Sequence, residues 1–275
     1  PEQFCAFNFA LHALTPRGEQ RLGAKELWSL SEYSDKRSQS WRDRVHREED
    51  CLTLGGSNFK YTQEGLSIKI SERSKPFFQH MPSHIEGEIK VTFGDQFKRT
   101  LSLDQSGHHH WMGVSPTSRI TVELDHPALS FTGHAYHDSN WGDDSLESAF
   151  QSWTWSRAEV EGGTLVMYDA VEKNSPPCHR ALLYHRGGEI TELSDFDSFD
   201  LPHGFWGVQR PTRVDRGSSG AKVIKNLVDS PFYTRDVIQT RVCQQETYAI
   251  HESLDLTRFE SPWVRFLIPF RIRRL

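Results

Sequence analysis

The chain is dominated by short runs in which apolar and polar residues alternate with a period of two, separated by Gly, Asp and Asn turns. Side chains at i and i+2 share a face in an extended strand, not in a helix, so this pattern commits the chain to β-structure. Gly65–Ile70, Ile85–Phe93, Arg119–Leu124 and Leu129–Tyr136 follow it, as do Thr164–Val171, Lys222–Val228, Asp236–Val242, Thr247–Leu254 and Trp263–Phe270. Near the start, Cys5–His12 places Cys5, Phe7, Phe9 and Leu11 on one face. No strand–helix alternation points to a parallel α/β sheet, and the expected class is all-β. The turn-like Gly142-Asp143-Asp144-Ser145 separates two strand-rich halves. Residues 1–144 and 145–275 are therefore expected to form two tandem β-barrel or half-barrel domains, with a ligand cleft at or between them. Ser34–Asp50, charged throughout, reads as an exposed helix or a solvated connection.

Bulk properties narrow the function. A net charge of −5 argues against a nucleic-acid partner. No run approaches the roughly 20 apolar residues of a membrane-spanning helix. Cys5, Cys51, Cys178 and Cys243 form no CxxC pair and no disulfide framework, so they read as reduced thiols of an intracellular protein. Neither a GxSxG elbow nor a GxGxxG turn opening a helix occurs, and no motif sets an oligomeric state. The chain begins at Pro1, which suggests a processed or trimmed start.

Chemistry concentrates in Phe131–Trp155, FTGHAYHDSNWGDDSLESAFQSWTW. Asp138 sits among Tyr136, His134, His137 and Trp141, with Trp153 and Trp155 following and His108-His109-His110-Trp111 upstream. A carboxyl group among rings suits acid chemistry on an apolar, electron-rich substrate: the rings exclude water and raise its pKa, and their faces stabilise a cation. Asp138 also reads as a turn residue in Asp-Ser-Asn, capping a backbone N–H. Adjacent residues of a strand point to opposite faces, so three successive histidines are a poor site for one metal ion, and none is assigned.

The pieces HHHWMGVSPTSRITVEL, PALSFTG, AYHDSNWGDDSLESAF and WTWSR resemble the carotenoid 1,2-hydratases, also called hydroxyneurosporene synthases. The resemblance extends through DSPFYTRDV, HESLDLTRFESPWVRFLIPFR and CAFNFALH, nearly the whole chain. Family members carry further residues before the segment matching Cys5, so an early strand or two is expected to be missing. The resemblance implies a two-domain lipocalin-like fold and a bacterial, cofactor-independent hydro-lyase. Such an enzyme adds water to the terminal C1–C2 double bond of acyclic carotenoids such as lycopene and neurosporene. The family's His-x-Trp and Tyr-x-Asp motifs fall on His109, Trp111, Tyr136 and Asp138.

The residues agree with that implication. Such an alkene offers no handle for a nucleotide; hydration begins by protonating the less substituted carbon, and water captures the tertiary cation. Asp138 is the expected acid. Raising an Asp from about 3.9 to about 7 corresponds to roughly 4 kcal/mol. Trp111 and Tyr136 would face the cation, and His109 would orient water, accept its proton or keep Asp138 protonated. Asn140 would hold the water or fix a turn. Trp141, Trp153 and Trp155 would line the apolar channel, and Arg157 would be a structural ion-pair partner. Two other classes fit the same rings: a cyclase or pericyclase of a polyene, and a non-catalytic lipid or carotenoid carrier. Phe266–Leu275, apolar and basic, reads as a final barrel strand or as a patch resting on an anionic membrane, which suits a cytoplasmic, peripherally membrane-associated protein.

Overall fold

The computed structural model describes residues 45–48, 50–54, 56–73 and 84–271. The Cys5–His12 strand and most of the Ser34–Asp50 segment lie outside them. In chain order the strands are β1 (Val45–Arg47), β2 (Cys51–Leu54), β3 (Ser57–Tyr61), β4 (Gly65–Arg73), β5 (His84–Thr92), β6 (Leu101–Ser102), β7 (His109–His126) and β8 (Leu129–Gly142). There follow the short helix α1 (Leu146–Ala149), β9 (Phe150–Val160), β10 (Gly163–Glu172), β11 (Cys178–His185), β12 (Ile190–Glu192), β13 (Phe196–Leu201) and β14 (Arg210–Asp215). The chain continues with β15 (Lys222–Asp229), β16 (Tyr233–Val242), β17 (Gln245–Asp255), α2 (Leu256–Glu260) and α3 (Pro262–Arg271). The all-β expectation holds.

The residues fall into two compact units. One takes in Phe97–Val114 and Asp138–Ile268; the other takes in the described residues up to Gln96, Ser115–His137 and those from Pro269. The expected cut between 144 and 145 does not coincide with this division. β7 and β8 are 18 and 14 residues long, and each contributes to both units, so no single point in the sequence separates them.

In the second unit β1 to β5 pair antiparallel in order, and β5 then pairs with the later part of β7, from Glu86 opposite His126 to Thr92 opposite Arg119. Leu66, Ile68, Ile70, Ile89, Val91, Ile120 and Val122 form its core, with Phe59, Phe131 and Ala135 packed against them. These are the apolar members of the alternating runs, placed on one face by the pleat. His137 stacks on Phe93 at 5.3 Å and meets the Tyr61 hydroxyl at 3.2 Å.

In the first unit a seven-stranded antiparallel sheet runs β12-β11-β10-β9-β17-β16-β15. Its central strands are buried on both faces, so β10 reads as the run Leu165-Val166-Met167-Tyr168 and not as clean alternation. One face carries Ala158, Leu165, Met167, Ala181, Ile238, Val242 and Ala249, the main core. The same face carries charge: Arg210 donates to both oxygens of the fully buried Asp236 at 2.9 and 3.0 Å, and Asn226 donates to Asp236 at 2.8 Å. A buried carboxylate persists only when paired and hydrogen-bonded in this way.

The end of the chain departs from expectation. Trp263–Phe270, expected as a strand, belongs to helix α3. Ser261-Pro262 is a helix-start signal that outweighs a short alternating pattern, because proline is pre-organised for the first helical turn. Asp255 caps the preceding α2 by accepting from the Arg258 N–H. No helix among the described residues is long and apolar enough to cross a membrane.

Burial, reinforced by the Arg210 charge, pushes the His251 imidazole down to about 3, and burial pushes His137 down to about 4. Both stay neutral in the fold at pH values where the unfolded chain is protonated. Stability from these groups is therefore complete above about pH 6.5 and is lost as pH falls towards their folded values. The urea midpoint is expected to drop between pH 7 and pH 5. His251→Gln should flatten that dependence by up to one proton, about 1.4 kcal/mol per pH unit.

Candidate active site

The second face of the seven-stranded sheet is aromatic and charged. Cross-strand register aligns Arg180, Tyr168, Trp155, Glu252 and Arg235 in one row over β11, β10, β9, β17 and β16. Two residues along, Ala170, Trp153, Leu254 and Tyr233 form a parallel row. Directly paired residues of an antiparallel sheet project to the same side, so these rows form one aromatic and acidic surface. Glu252 is held by Arg235, whose Nε and Nη2 lie 2.8 and 2.7 Å from the same carboxylate oxygen.

The early part of β7 packs on this surface. His109, Trp111 and Gly113 alternate as buried residues with the partly buried His110, Met112 and Val114. The Trp111 ring lies 5.7 Å from that of Tyr168, and Trp153 lies 6.4 Å from Tyr168. Trp111 is 1% exposed, and its Nε1–H donates to Oδ2 of Asp138 at 2.8 Å. A buried indole N–H needs an acceptor, and the carboxylate supplies it. Asp138-Ser139-Asn140 lies within strand β8 and not in a turn, so the reading of Asp138 as a turn cap is set aside; Asn140 is exposed on that strand.

Two tyrosines sense Asp138. Burial, and then the charges of Asp138 and Glu252, push the Tyr168 phenol far above its usual range. Burial and then Asp138 do the same for Tyr184, whose hydroxyl nests against Gly113. A Cβ at Gly113 would lie 2.6 Å from that oxygen, which explains the glycine between buried positions of β7. Both phenols therefore stay protonated.

The start of β7 is fixed by Asp104. Its carboxylate accepts from the His109 N–H at 2.9 Å, the His108 N–H at 3.1 Å and the Ser106 hydroxyl. Burial alone would raise its pKa, but these bonds outweigh it and hold Asp104 down to about 2. The three histidines then diverge. His108 pairs with Asp144 at 2.9 Å, His109 packs edge-on against Phe150 at 5.0 Å, and His110 lies 5.5 Å from Trp141. Burial lowers the pKa of His109, so its ring is neutral near pH 7, and its buried Nε2 has no hydrogen-bond partner among the described residues.

Of the residues expected from sequence, Trp111, Asp138, Trp153 and Trp155 come together in the first unit. Trp141 lies with His110, which alternates with the buried His109 and Trp111. Tyr136, partly buried on β8, belongs to the second unit, since the division falls between His137 and Asp138. Arg157 pairs with Glu159, as expected of a structural partner. Sequence reading missed Tyr168, Tyr184, Glu252, Arg235 and Asp104. The first four are distant in sequence and converge only through sheet register; the Ser102-Leu103-Asp104-Gln105-Ser106-Gly107 turn was a legible signal for the fifth.

An all-β unit thus presents a carboxyl group tied to a buried indole beside an aromatic wall. Residues 29–275 match the family model described as carotenoid hydratase CrtC, and the chain belongs to that family. It is 34% identical over its whole length to the acyclic carotenoid 1,2-hydratase of Thiocapsa roseopersicina and 30% identical to that of Rubrivivax gelatinosus, spanning 63% of each. The enzyme of the same name from Cereibacter sphaeroides is 31% identical over 85% of this chain and 82% of its own. The chain thus covers a little under two thirds of the first two relatives. Among solved structures, a putative AttH from Nitrosomonas europaea shares the lipocalin-like fold, with a TM-score of 0.51 and 11% identity over 79% of this chain and 73% of that one.

Trp111→Phe keeps most of the ring and removes the N–H donor to Asp138. We expect a loss of about 0.5–1.5 kcal/mol in urea unfolding, the net worth of a typical intramolecular hydrogen bond. Asp104→Ala, which frees two backbone N–H groups at the start of β7, should cost at least as much in the same measurement.

Proposed function

We propose that the protein is a carotenoid 1,2-hydratase that adds water to the terminal C1–C2 double bond of an acyclic carotenoid such as lycopene or neurosporene, with Asp138 as the acid. The reading rests on family membership and on one contact above all: the Trp111 N–H to Asp138 bond of 2.8 Å, which joins the His-x-Trp and Tyr-x-Asp motifs. The Asp138 carboxyl group, aimed by the indole bond to its Oδ2, carries the proton. The π electrons of the alkene take that proton onto C2 and leave a tertiary cation at C1. The faces of Trp153 and Trp155 stabilise the cation, each worth up to about 2 kcal/mol when desolvated. Trp111 serves chiefly to aim the acid. Water then bonds to C1, and its surplus proton returns to the Asp138 carboxylate, directly or by way of neutral His109, giving a tertiary alcohol and restoring the acid. The aromatic face of the sheet would hold the end of the polyene within its unit, and no cofactor takes part in any step.

Incubation with lycopene under anaerobic conditions and without added cofactor should give a product heavier by one water, read by mass spectrometry. Asp138→Asn should lower turnover at least about 100-fold, the usual scale of lost general-acid catalysis. Because the acid must be protonated, kcat/KM should fall as pH rises through its pKa. Turnover that survives in Asp138→Asn would instead assign the chemistry to a shape-driven site, and bound but unchanged lycopene would identify a carrier.

A further inference from the structure

Four large aromatics are exposed together on the first unit, far from any requirement of its core. Phe205 is 89% exposed, Phe266 68%, Trp263 45% and Trp206 37%. The Trp206 and Trp263 rings stack at 6.3 Å, and Phe205 meets Trp206 edge-on at 5.6 Å, so the turn after β13 and helix α3 present one continuous patch.

The patch is held outward by construction. Phe205 and Trp206 occupy the tip of a turn closed by the Gly207 N–H donating to the Gly204 carbonyl at 2.9 Å, with Gly207 in the left-handed region at φ 76°. The Phe205 N–H donates to Asp229 at 2.6 Å, and Arg258 donates to the carbonyls of Trp206 and Gly207 at 2.5 and 3.1 Å. Buried Val208 anchors the turn and buried Val264 anchors the helix. Turn tips ordinarily carry Gly, Asn, Asp, Ser or Pro, and exposing Phe-Trp there costs solvation with no return in folding.

Charge points to the occupant. Arg258 lies against the turn, donating to its carbonyls, and exposed Arg265 stands between Trp263 and Phe266 in α3. In sequence, Trp263 to Leu275 holds four arginines and no acidic residue, although the whole chain carries −5. Glu260 is paired with Lys173 at 2.9 Å. Tryptophan and phenylalanine with arginine match the headgroup region of a bilayer, where rings enter the acyl boundary and guanidinium groups meet phosphate.

We propose that Phe205, Trp206, Trp263 and Phe266 form a docking surface for an anionic lipid bilayer, from which the protein draws its substrate. The choice of a lipid surface rests in part on the carotenoid reading. Its test uses carotenoid-free vesicles, so failure of one leaves the other intact. The full-length protein is sedimented with vesicles of phosphatidylcholine alone and of equal parts phosphatidylcholine and phosphatidylglycerol. It should bind the mixed vesicles preferentially, less so as salt rises. Phe205→Ser/Phe266→Ser should lower the partition coefficient about tenfold or more. Turnover of detergent-dissolved lycopene should be unchanged in that variant. Quenching of wild-type tryptophan emission by brominated lipids tests insertion without any substitution. Equal partitioning of variant and wild type, or no binding and no quenching with either vesicle, overturns the proposal. A wild-type dimer that the variant converts to monomer, without vesicle binding, assigns the patch to a second copy of the chain and overturns it too.

Discussion

A sheet buried on both faces governs this molecule. In the seven-stranded sheet, β9, β10, β16 and β17 meet protein on each side. One face carries an apolar core and the buried pair of Arg210 with Asp236. The other carries Glu252 among rings, paired with Arg235, and packs against Trp111 of β7, whose indole holds Asp138 of β8. The division of labour follows from the pleat: residue i belongs to the core and residue i+1 to the site, so neither face can shift register without exchanging the two.

The donors around each acid differ. Asp138 accepts from an indole N–H, a neutral donor that fixes the direction of one oxygen, whereas Glu252 is paired with the Arg235 guanidinium. Tyr168 and Tyr184, whose phenols burial keeps protonated, lie on the same face. Asp104 collects two backbone N–H groups and the Ser106 hydroxyl, which hold its carboxylate down to about 2, and thereby sets where His109 and Trp111 begin.

Much of this was legible in the chain. Gly65–Ile70, Thr164–Val171 and Thr247–Leu254 fall inside strands, and Ile85–Phe93 overruns β5 by one residue, because period-two alternation reflects the pleat directly. The spacing of His109 and Trp111 placed both on the buried face of β7 for the same reason. Trp263–Phe270 misled because a short apolar run fits a strand or a helix, and the decisive signal was the Ser-Pro before it. The division of the chain was hidden because β7 and β8 each serve two units, and a strand carries no mark in its sequence where one core ends and another begins.

The sequence by itself determined the strand-forming segments, the side of each strand that faces inward, and the cluster of rings around an acid. These are local properties, set by alternation and residue type over a few positions. Only the tertiary structure decided that Trp111 would spend its N–H on Asp138, that Tyr168, Tyr184, Glu252 and Arg235 would share one face, and that Trp206 would meet Trp263 at the surface. Those contacts join residues tens of positions apart through cross-strand register and chain reversal, and no local pattern encodes which distant strand a given strand will pair with.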